Sequence, residues 1–490
     1  MSTPVTGEDL AARAAGNAPL HYLDAVSALE LFRSGTLSPV ELLTAVAERT
    51  ETANPAVNAL TETLFDDAMV QAREAEAAYR SGDTGERPLL GLPVATKEKH
   101  ALAGRSLSQG LLAHAGTVAA ADHPVVARIR AAGGIVHART TSPEFSCATV
   151  THSPMWGVTR NPWNLDRSPG GSSGGAGAAL AAGLAPLATA SDIAGSTRLP
   201  AAFTGTVGYK APYGRIPGQA PLSADWYRGD GPMARTVADT ALLANVMSGR
   251  HPADHASFGG PGVLPLRYPD AGELAGVRVA LCLRLGDYPL DAAVEANTRA
   301  VAAALQGAGA VVEEVELPWT TAGIRETIFT HFGHILGPAM EEATAGDQEQ
   351  LASYTRRFMA DARAAAERTT LVEGLAAEAR IQAELATAMA GFDVLLCPTS
   401  GAGSLAAEGD YLDGISVAGR TLQHYWEGHL TAPFNITNRC PVLAVPSGFG
   451  ADGVPTGVQV VGHPFAEESV FRLGAAIEVL RPWAGRYPEL

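Results

Sequence analysis

Residues 167–200 read RSPGGSSGGAGAALAAGLAPLATASDIAGSTRLP, and the interpretation of the whole chain depends on this stretch. It holds two serines in glycine-rich turns, Ser172 and Ser196, with a run of almost only Ala, Gly and Leu between them. Residues this small let backbones approach each other or a ligand closely. A glycine-rich loop that leads into a helix also directs backbone N–H groups towards one point. The stretch therefore predicts a site for negative charge, either a bound phosphate or an oxyanion formed during a reaction.

Two interpretations use this loop alone. A phosphate-binding P-loop needs a lysine directly after its glycines, and no lysine occurs between Lys99 and Lys210, which excludes it. The run GGSSG at 170–174 matches the G-x-S-x-G pattern of a nucleophile elbow. An elbow follows a buried strand, whereas residues 161–169 (NPWNLDRSP) are typical of a loop. An α/β-hydrolase-type esterase with Ser172 in an elbow is therefore kept as a minor alternative.

A third interpretation combines both serines with a lysine. A serine hydroxyl is a weak nucleophile until a neighbouring base takes its proton. A lysine can be that base when burial keeps it neutral. Lys97 ends an apolar run that begins at Leu89, so it is a candidate for such a buried lysine. Ser196 would then attack, and Ser172 would relay the proton.

Composition limits the class of protein. The chain has 490 residues, of which 46% are hydrophobic and 18% charged, as in globular proteins. A formal charge of −16 disfavours nucleic acid as a partner. The four cysteines show neither CxxC nor zinc-finger spacing, which favours a reduced cytoplasmic setting. The first residues contain no apolar signal segment, and no run of 18 apolar residues occurs, so we expect no secretory signal and no membrane span.

Strands and helices alternate along the chain. Residues 20–85 are predicted to be helical, with a capping box at Ser38-Pro39-Val40-Glu41 and a helix end at Asn54-Pro55. Short apolar runs predict strands near 135–138, 277–283, 392–397, 442–446 and 457–461, and residues 322–389 are helical and charged. The alternation predicts a single mixed α/β core rather than separate modules.

Taken together, these motifs resemble the amidase signature family of serine amidohydrolases over nearly the whole chain. The matching runs, in order, are Gly91-Leu92-Pro93-Val94 with Lys97-Glu98, Thr140 to Phe145, Asn161 to Asn164, Pro169 to Gly175, Ser191 to Ala201, Gly205 to Gly214, Gly231 to Arg235, Pro441 to Pro446 and Pro455 to Gly462. The resemblance implies a single large α/β domain with a central mixed β-sheet covered by helices on both faces.

The resemblance also implies a Ser–Ser–Lys triad. Ser196 would be the nucleophile, Lys97 the neutral base and Ser172, after a cis peptide bond at Gly171, the relay. The backbone N–H groups of Ile193, Ala194, Gly195 and Ser196 would form the oxyanion hole. Supporting positions would be Ser173, Asp192 and Arg198. No metal and no cofactor are implied.

Three residues depart from the family's usual pattern. Ala194 stands where the family usually has glycine, which would cost roughly 1–2 kcal/mol if the position needed a positive φ. Asn438-Arg439 replaces a glycine-containing turn, and Arg439 is expected either to be solvated or to face the pocket entrance and favour an anionic substrate. Thr197 follows the nucleophile and has no clear consequence. None of these changes removes a catalytic side chain.

The sequence thus predicts an amidase that hydrolyses a carboxylic amide through an acyl-Ser196 intermediate. Alternatives are the glutaminase subunit of a tRNA-dependent amidotransferase, an acyl-transferring biosynthetic amidase, and a fold relative that binds without turnover. We expect one domain, divided into a helical N-terminal part (1–85), a catalytic core (86–250), a variable pocket part (251–390) and a C-terminal return to the core (391–490). We expect a small-molecule amide as partner, neither nucleic acid nor membrane, and a cytoplasmic location, with a homodimer left open.

Overall fold

An eleven-stranded mixed β-sheet forms the centre of the protein. The computed structural model describes residues 19–260, 262–409 and 411–490. The strand order is β1-β3-β2-β6-β8-β7-β14-β15-β11-β9-β10, and β4-β5 and β12-β13 form two small separate ladders. The strands are β1 (Leu60–Thr63), β2 (Pro93–Lys97), β3 (Ile135–Thr140), β4 (His152–Ser153), β5 (Gly157–Val158), β6 (Leu187–Asp192), β7 (Val207–Lys210), β8 (Gly229–Ala234), β9 (Arg278–Leu281), β10 (Val311–Glu314), β11 (Val394–Pro398), β12 (Ile415–Val417), β13 (Arg420–Leu422), β14 (Val442–Phe449) and β15 (Pro455–Gly462).

Helices flank this sheet, which confirms the predicted single-domain α/β fold. They are α1 (Ala25–Ser34), α2 (Pro39–Val57), α3 (Phe65–Ser81), α4 (Pro124–Ala131), α5 (Gly174–Ala181), α6 (Arg198–Thr204), α7 (Val237–Met247), α8 (Ala292–Gly307), α9 (Thr321–His334), α10 (Leu336–Ala343), α11 (Ser353–Arg368), α12 (Leu371–Ala388), α13 (Pro433–Ile436) and α14 (Glu467–Leu480). The segment predicted to be helical and charged over 322–389 is thus four helices, α9 to α12.

The N-terminal part is largely helical, as predicted, with two differences. The capping box forms, since Ser38 and Glu41 exchange side-chain and backbone hydrogen bonds. The predicted end at Asn54-Pro55 is wrong, because Pro55 lies in the last turn of α2 and the helix runs on to Val57. A short strand, β1, also interrupts the helices by pairing with β3. Residues 1–18, the start of the predicted N-terminal part, lie outside the described residues.

Two neighbouring parallel strands bring the predicted catalytic residues to one edge of the sheet. Strands β2 and β6 pair in parallel, so their carboxyl ends meet. Lys97 is the last residue of β2, and Asp192 is the last residue of β6. The serine-containing turns then lead directly into α5 and α6. The alternation of strands and helices therefore concentrates the site at this edge.

The small residues of the 167–200 stretch allow very close packing there. Every residue from 168 to 204 is buried. A Cβ added at Gly175 would lie 2.3 Å from the Thr141 hydroxyl and 2.5 Å from its backbone nitrogen. Ala176 of α5 and Ala201 of α6 pack in one cluster with Ala95 of β2. Larger side chains would push the two helices off the strands that carry the catalytic groups.

The cysteines behave as the sequence predicts, as small buried residues. All four are free and buried. Within the described residues, no helix combines the length and apolar character needed to cross a membrane.

Candidate active site

Lys97 lies among three serine hydroxyls at the carboxyl end of β2. Its Nζ is 2.7 Å from Ser172 Oγ, 3.0 Å from Ser173 Oγ and 3.1 Å from Ser191 Oγ. A neutral amine has two N–H donors and one lone pair, so three hydroxyl partners match it fully. In that state the Ser172 hydroxyl donates to the Lys97 lone pair. The structure thus brings together the predicted base, the predicted relay and the supporting Ser173.

Burial keeps Lys97 in the neutral form. The side chain has no exposed surface, and burial lowers its pKa well below the usual value. The charge of Lys99 lowers this pKa further, whereas Asp230 and Asp192 raise it. Since a buried ammonium loses its hydration, burial favours the deprotonated amine, which is the form that a general base needs.

Ser196 lies beside this pair, in the turn between β6 and α6. Its backbone carbonyl accepts a hydrogen bond of 3.1 Å from the Ser173 backbone N–H, which links the two serine turns. The Gly171–Ser172 peptide bond is cis, as the resemblance implies. Among the described residues, no hydrogen bond joins the Ser172 and Ser196 hydroxyls. Ser196 is 7% exposed and Ser172 is not exposed, so Ser196 is the serine that a substrate can reach.

The turn before Ser196 presents backbone N–H groups, with one correction to the predicted oxyanion hole. The Gly195 N–H donates to Asp192 Oδ1 at 2.7 Å, so it is not available to an oxyanion. The N–H groups of Ile193, Ala194 and Ser196 have no acceptor within the described residues. Ala194 is not among the residues with positive φ, so alanine brings no backbone strain there. The left-handed residue is Gly195, whose φ is +122°.

A buried ion pair holds this turn from behind. Arg198 donates to Asp192, Asn435, Gln459 and the Thr431 carbonyl, which together use its full set of guanidinium donors. Burial alone would raise the pKa of Asp192, but Arg198 and Asn435 lower it to about 2. Asp192 also accepts from the Thr197 N–H at 3.2 Å. Asp192 and Arg198 thus hold the turn that contains Ser196, and their supporting role in catalysis stays a prediction.

The nucleophile-elbow alternative does not fit this geometry. An elbow needs a strand immediately before its serine. The described strand that precedes Ser172 is β5, which ends at Val158, and the residues between them carry no strand. Ser172 also has its hydroxyl on Lys97 rather than on a histidine.

Sequence reasoning missed a second polar cluster that adjoins Lys97. Asp230 of β8 lies 3.0 Å from His100 Nε2, 3.4 Å from His123 Nε2 and 3.8 Å from Lys99 Nζ. His100 reaches the Lys97 backbone through Thr189, whose hydroxyl accepts from the Lys97 N–H at 3.0 Å. Ser191 was missed as well, although it lies inside the motif around the nucleophile. The run KEKH at 97–100, with a second lysine and a histidine after the base, was the available signal.

The helical segment α9–α12 contacts the loop of Trp226 and Tyr227, and Gln382 of α12 also donates to the carbonyl of Ile436, the neighbour of Asn435. Tyr227 stacks on His331 with ring centroids 3.6 Å apart, and its hydroxyl donates to Glu378. Trp226 donates to the same carboxylate at 3.0 Å. The rings of Phe332 and Trp426 pack on each other and on Phe358 in a buried aromatic cluster.

Arg439 is held by aromatic rings. It is exposed, its guanidinium lies 4.9 Å from the centre of the Tyr213 ring, and it donates to the Tyr213 carbonyl. The rings of Phe258 and Phe465 lie within 5.9 and 5.8 Å. The expectation of a merely solvated side chain is therefore too simple, since cation–π contacts fix its position.

Comparisons with known proteins found relatives over nearly the whole chain. A family model described as Amidase matches residues 41–471. An acylamidase of Rhodococcus erythropolis is 34% identical over 96% of this chain and 98% of its own. A glutamyl-tRNA(Gln) amidotransferase subunit of Symbiobacterium thermophilum is 32% identical over 93% of this chain and 96% of its own. The crystal structure of a bacterial aryl acylamidase of the amidase signature family superimposes with a TM-score of 0.87, at 25% identity, over 96% of this chain and all of that one.

Proposed function

The chain belongs to the amidase signature family and hydrolyses the carbon–nitrogen bond of an amide, and we propose that it does so through a Lys97–Ser172–Ser196 triad. The observation that carries this proposal is the buried Lys97 amine, whose Nζ lies 2.7 Å from Ser172 Oγ. The next residue, Ser173, is linked to Ser196 by a backbone hydrogen bond. No other described lysine contacts a serine hydroxyl.

Attack begins with a proton relay. Lys97 Nζ takes the Ser172 proton while Ser172 Oγ takes the proton of Ser196, which leaves Ser196 Oγ free to attack the amide carbon. The contact between the two serine hydroxyls closes when substrate binds, as catalytic hydrogen bonds commonly do. The carbonyl oxygen becomes an oxyanion, and the N–H groups of Ile193, Ala194 and Ser196 stabilise it. Each such donor is worth about 2.7–4 kcal/mol in the transition state.

Collapse of the tetrahedral intermediate reverses the relay. The carbon–nitrogen bond breaks, and the Lys97 ammonium returns a proton through Ser172 to the leaving nitrogen. This gives an amine or ammonia and an ester on Ser196. Water then attacks the ester by the same route and releases the acid, so Lys97 and the two serines end in their starting states. Every proton in this cycle is moved by side chains of this chain.

A fluorophosphonate probe tests the assignment of the nucleophile. Its phosphorus forms a bond to the attacking serine oxygen, fluoride leaves, and the serine proton passes to the base. We expect peptide mapping to place the adduct on Ser196, with no labelling of Ser196→Ala. Ser172→Ala keeps the nucleophile and is expected to react slowly. An adduct on Ser172 in the unsubstituted protein would contradict the triad.

We propose that the part of the chain at 251–390 supplies the substrate pocket. Support comes from α9 and α12, which reach the loop of Trp226 and Tyr227 through His331 and Glu378. Further proposals are a cytoplasmic location, supported by four free buried cysteines, and a small-molecule amide as the substrate. Gel filtration with light scattering tests the homodimer that the sequence left open.

A second candidate function is supported by the identity with the glutamyl-tRNA(Gln) amidotransferase protein. A protein of that kind would hydrolyse glutamine and act in a larger complex. An assay of the purified chain with glutamine and with aliphatic, aryl and amino-acid amides separates the two candidates. Turnover of simple amides by the single chain supports the stand-alone enzyme, whereas glutamine-restricted turnover supports the amidotransferase component. Added hydroxylamine measures acyl transfer, because a hydroxamate forms if an amine captures acyl-Ser196.

A further inference from the structure

The cluster around Asp230 is a buried charge system next to the catalytic base. Asp230 accepts from His100 Nε2 at 3.0 Å, and His123 Nε2 lies 3.4 Å from its other oxygen. The Lys99 ammonium is 3.8 Å from the carboxylate, and its side chain is only 12% exposed. The proposed triad does not use any of these four side chains.

Hydrogen bonds fix where the protons of this cluster lie. The Val125 N–H donates to His123 Nδ1, so His123 carries its proton on Nε2, towards Asp230. The Lys97 N–H donates to Thr189 Oγ1, so the Thr189 hydroxyl is free to donate to His100 Nδ1. His100 then also carries its proton on Nε2. Burial lowers the pKa of His123 to about 3 and also lowers that of His100, which favours the neutral form of both rings.

The cluster therefore contains one negative and one positive charge. Burial would raise the pKa of Asp230, but His100, Lys99 and His123 hold it well below the usual range, so the carboxylate is ionised. The cation is Lys99, whose pKa burial lowers to about 8. His100, His123 and Asp230 lie within 4.8 Å of one another, a spacing that suits a metal ion. The ring nitrogens of His100 and His123 already have Val125, Thr189 and Asp230 as partners. Lys99 supplies the positive charge that compensates the Asp230 carboxylate.

We propose that Lys99 and Asp230 form a charge pair that controls how readily Lys97 takes up a proton, and that Thr189 and His100 couple this pair to the Lys97 backbone. All four are positioning residues, because none touches the reacting atoms. This inference rests on the proposed function only in taking Lys97 as the base.

The other charged groups near Lys97 are paired with oppositely charged residues outside the Asp230 cluster. Asp192, at the end of β6, is neutralised by Arg198 at 2.9 Å. Arg228, which precedes β8, faces Asp225 at 3.9 Å. The serines around Nζ are uncharged. A single substitution in the pair of Lys99 and Asp230 can therefore either raise or lower the pKa of Lys97.

Removing either member of the pair changes the charge beside Lys97. In Lys99→Met the Asp230 carboxylate is no longer compensated and stabilises the Lys97 ammonium. In Asp230→Asn the carboxylate that favours the Lys97 ammonium is lost, so the pKa of Lys97 falls whether or not Lys99 keeps its charge. A nearby buried charge typically moves a pKa by about one unit or more. The two variants should thus shift the pKa of Lys97 in opposite directions, an outcome that simple loss of packing does not produce.

The chain's lysine content allows Lys97 to be observed directly. Lys97, Lys99 and Lys210 are the only lysines in the sequence. Protein labelled with ¹³C at the lysine Cε position should therefore give three lysine signals in a pH titration by NMR, assigned from Lys99→Met and Lys210→Met. We expect the Lys97 midpoint to rise by about one pH unit in Lys99→Met and to fall by a similar amount in Asp230→Asn. Lys99→Arg keeps the charge and should keep the midpoint.

Kinetics of fluorophosphonate inactivation give a second readout. The acid limb of the rate profile should move with the Lys97 midpoint, so that Lys99→Met loses about tenfold in rate on that limb and recovers at higher pH. An unchanged midpoint in folded Lys99→Met, or shifts of the same sign in both charge-removing variants, would overturn the inference. If Asp230→Asn does not fold, the contrast of Lys99→Met with Lys99→Arg decides alone. The NMR titration does not depend on Ser196, so failure of the triad assignment is visible separately, as missing Ser196 labelling.

Discussion

The catalytic stretch at 167–200 and the helical segment at 321–388 are built in opposite ways. The first consists almost entirely of small residues, and from residue 168 onwards all of them are buried. The second contains large aromatic rings and charged side chains, such as Phe332 and Glu378, and both buried and exposed positions occur along the segment. The catalytic stretch positions backbone groups, whereas the helical segment positions side chains.

With the pocket assigned to residues 251–390, as proposed, this difference separates chemistry from substrate recognition. In the catalytic stretch each backbone N–H or hydroxyl is held in one orientation, because the close packing of glycine and alanine leaves no room for rearrangement. The helical segment reaches the site through a few long side chains on one loop, at Trp226 and Tyr227. Substitutions in the first region should therefore act on turnover, and those in the second on substrate affinity and stability.

The largest effect is expected from Lys97→Met, which removes the base and keeps a side chain of similar length. Turnover should fall by about 10⁴-fold or more, in the range seen when a catalytic triad loses a member. Stability should also fall, by about 1–3 kcal/mol, because three buried serine hydroxyls lose their hydrogen-bond partner. Steady-state kinetics and urea unfolding measure both. The matched control is Lys210→Met, another wholly buried lysine, which should lose stability through its contacts to Asn438 and Cys440 and retain catalysis.

A smaller but still large effect should follow from Arg198→Met. The substitution leaves Asp192 buried without its counter-ion, and breaking a buried pair in this way costs about 3–5 kcal/mol. Turnover should fall as well, since Asp192 holds the Gly195 and Thr197 N–H groups. Urea unfolding gives the free energy. Adding Asp192→Asn removes the unpaired charge and should recover part of the stability, and no recovery would contradict this role.

These contacts also show how far sequence alone leads. The motif at 167–200 predicted the two serines of the proposed triad and the Asp192–Arg198 pair, because they lie in one stretch of glycines and hydroxyls, whereas Lys97 was predicted from the apolar run that it ends. The motif did not predict that the Gly195 N–H donates to the Asp192 carboxylate, because this hydrogen bond depends on the backbone conformation of the turn. It also missed Asp230, which meets His100 from a strand 130 residues further along the chain.

The fold shows the same division. Local patterns predicted the capping box at Ser38 and the strands β3, β9, β11, β14 and β15, but not the buried strands β6, β7 and β8. The strand β1 was missed because four residues with polar character form a strand only by pairing with β3. The end of α2 was misplaced because Pro55 lies in the last turn, where the loss of one hydrogen bond is tolerated. Tertiary pairing, absent from a local pattern, decides such cases.

A moderate effect in the helical segment is expected from Tyr227→Phe. It removes one hydrogen bond of 2.9 Å to the Glu378 carboxylate, and a bond to a charged group contributes about 1.5–3 kcal/mol. The ring still stacks on His331, and Trp226 still donates to Glu378. We expect a higher KM with nearly unchanged kcat in assays of small amides. A fall in kcat with unchanged KM would break the proposed division between the two regions.

The smallest effect concerns the pH dependence of the anchor at His331. Burial lowers its pKa, but hydrogen bonds and charges from Asp225 and Glu378 outweigh this and raise it above the usual value. Because the folded-state pKa is the higher one, the stabilisation is fully present below about pH 6.5, the unfolded value. It is lost as the pH rises through the folded-state pKa. The helical segment should therefore hold the Tyr227 loop less firmly in alkaline solution.

His331→Gln isolates this contribution from other titrating groups. Lys99 and Lys210, whose pKa values burial lowers to about 8 and about 7, change stability in the opposite direction as the pH rises, but they do so equally in both proteins. The loss of unfolding free energy between pH 6 and pH 9 that His331 causes should disappear in the variant. His334→Gln, on the same helix but bonded to the Thr369 carbonyl, should keep the unsubstituted protein's pH slope. Identical slopes of unfolding free energy against pH in all three proteins would mean that the helical segment is anchored by packing alone. The two regions would then differ even more, because only the catalytic region would depend on paired charges.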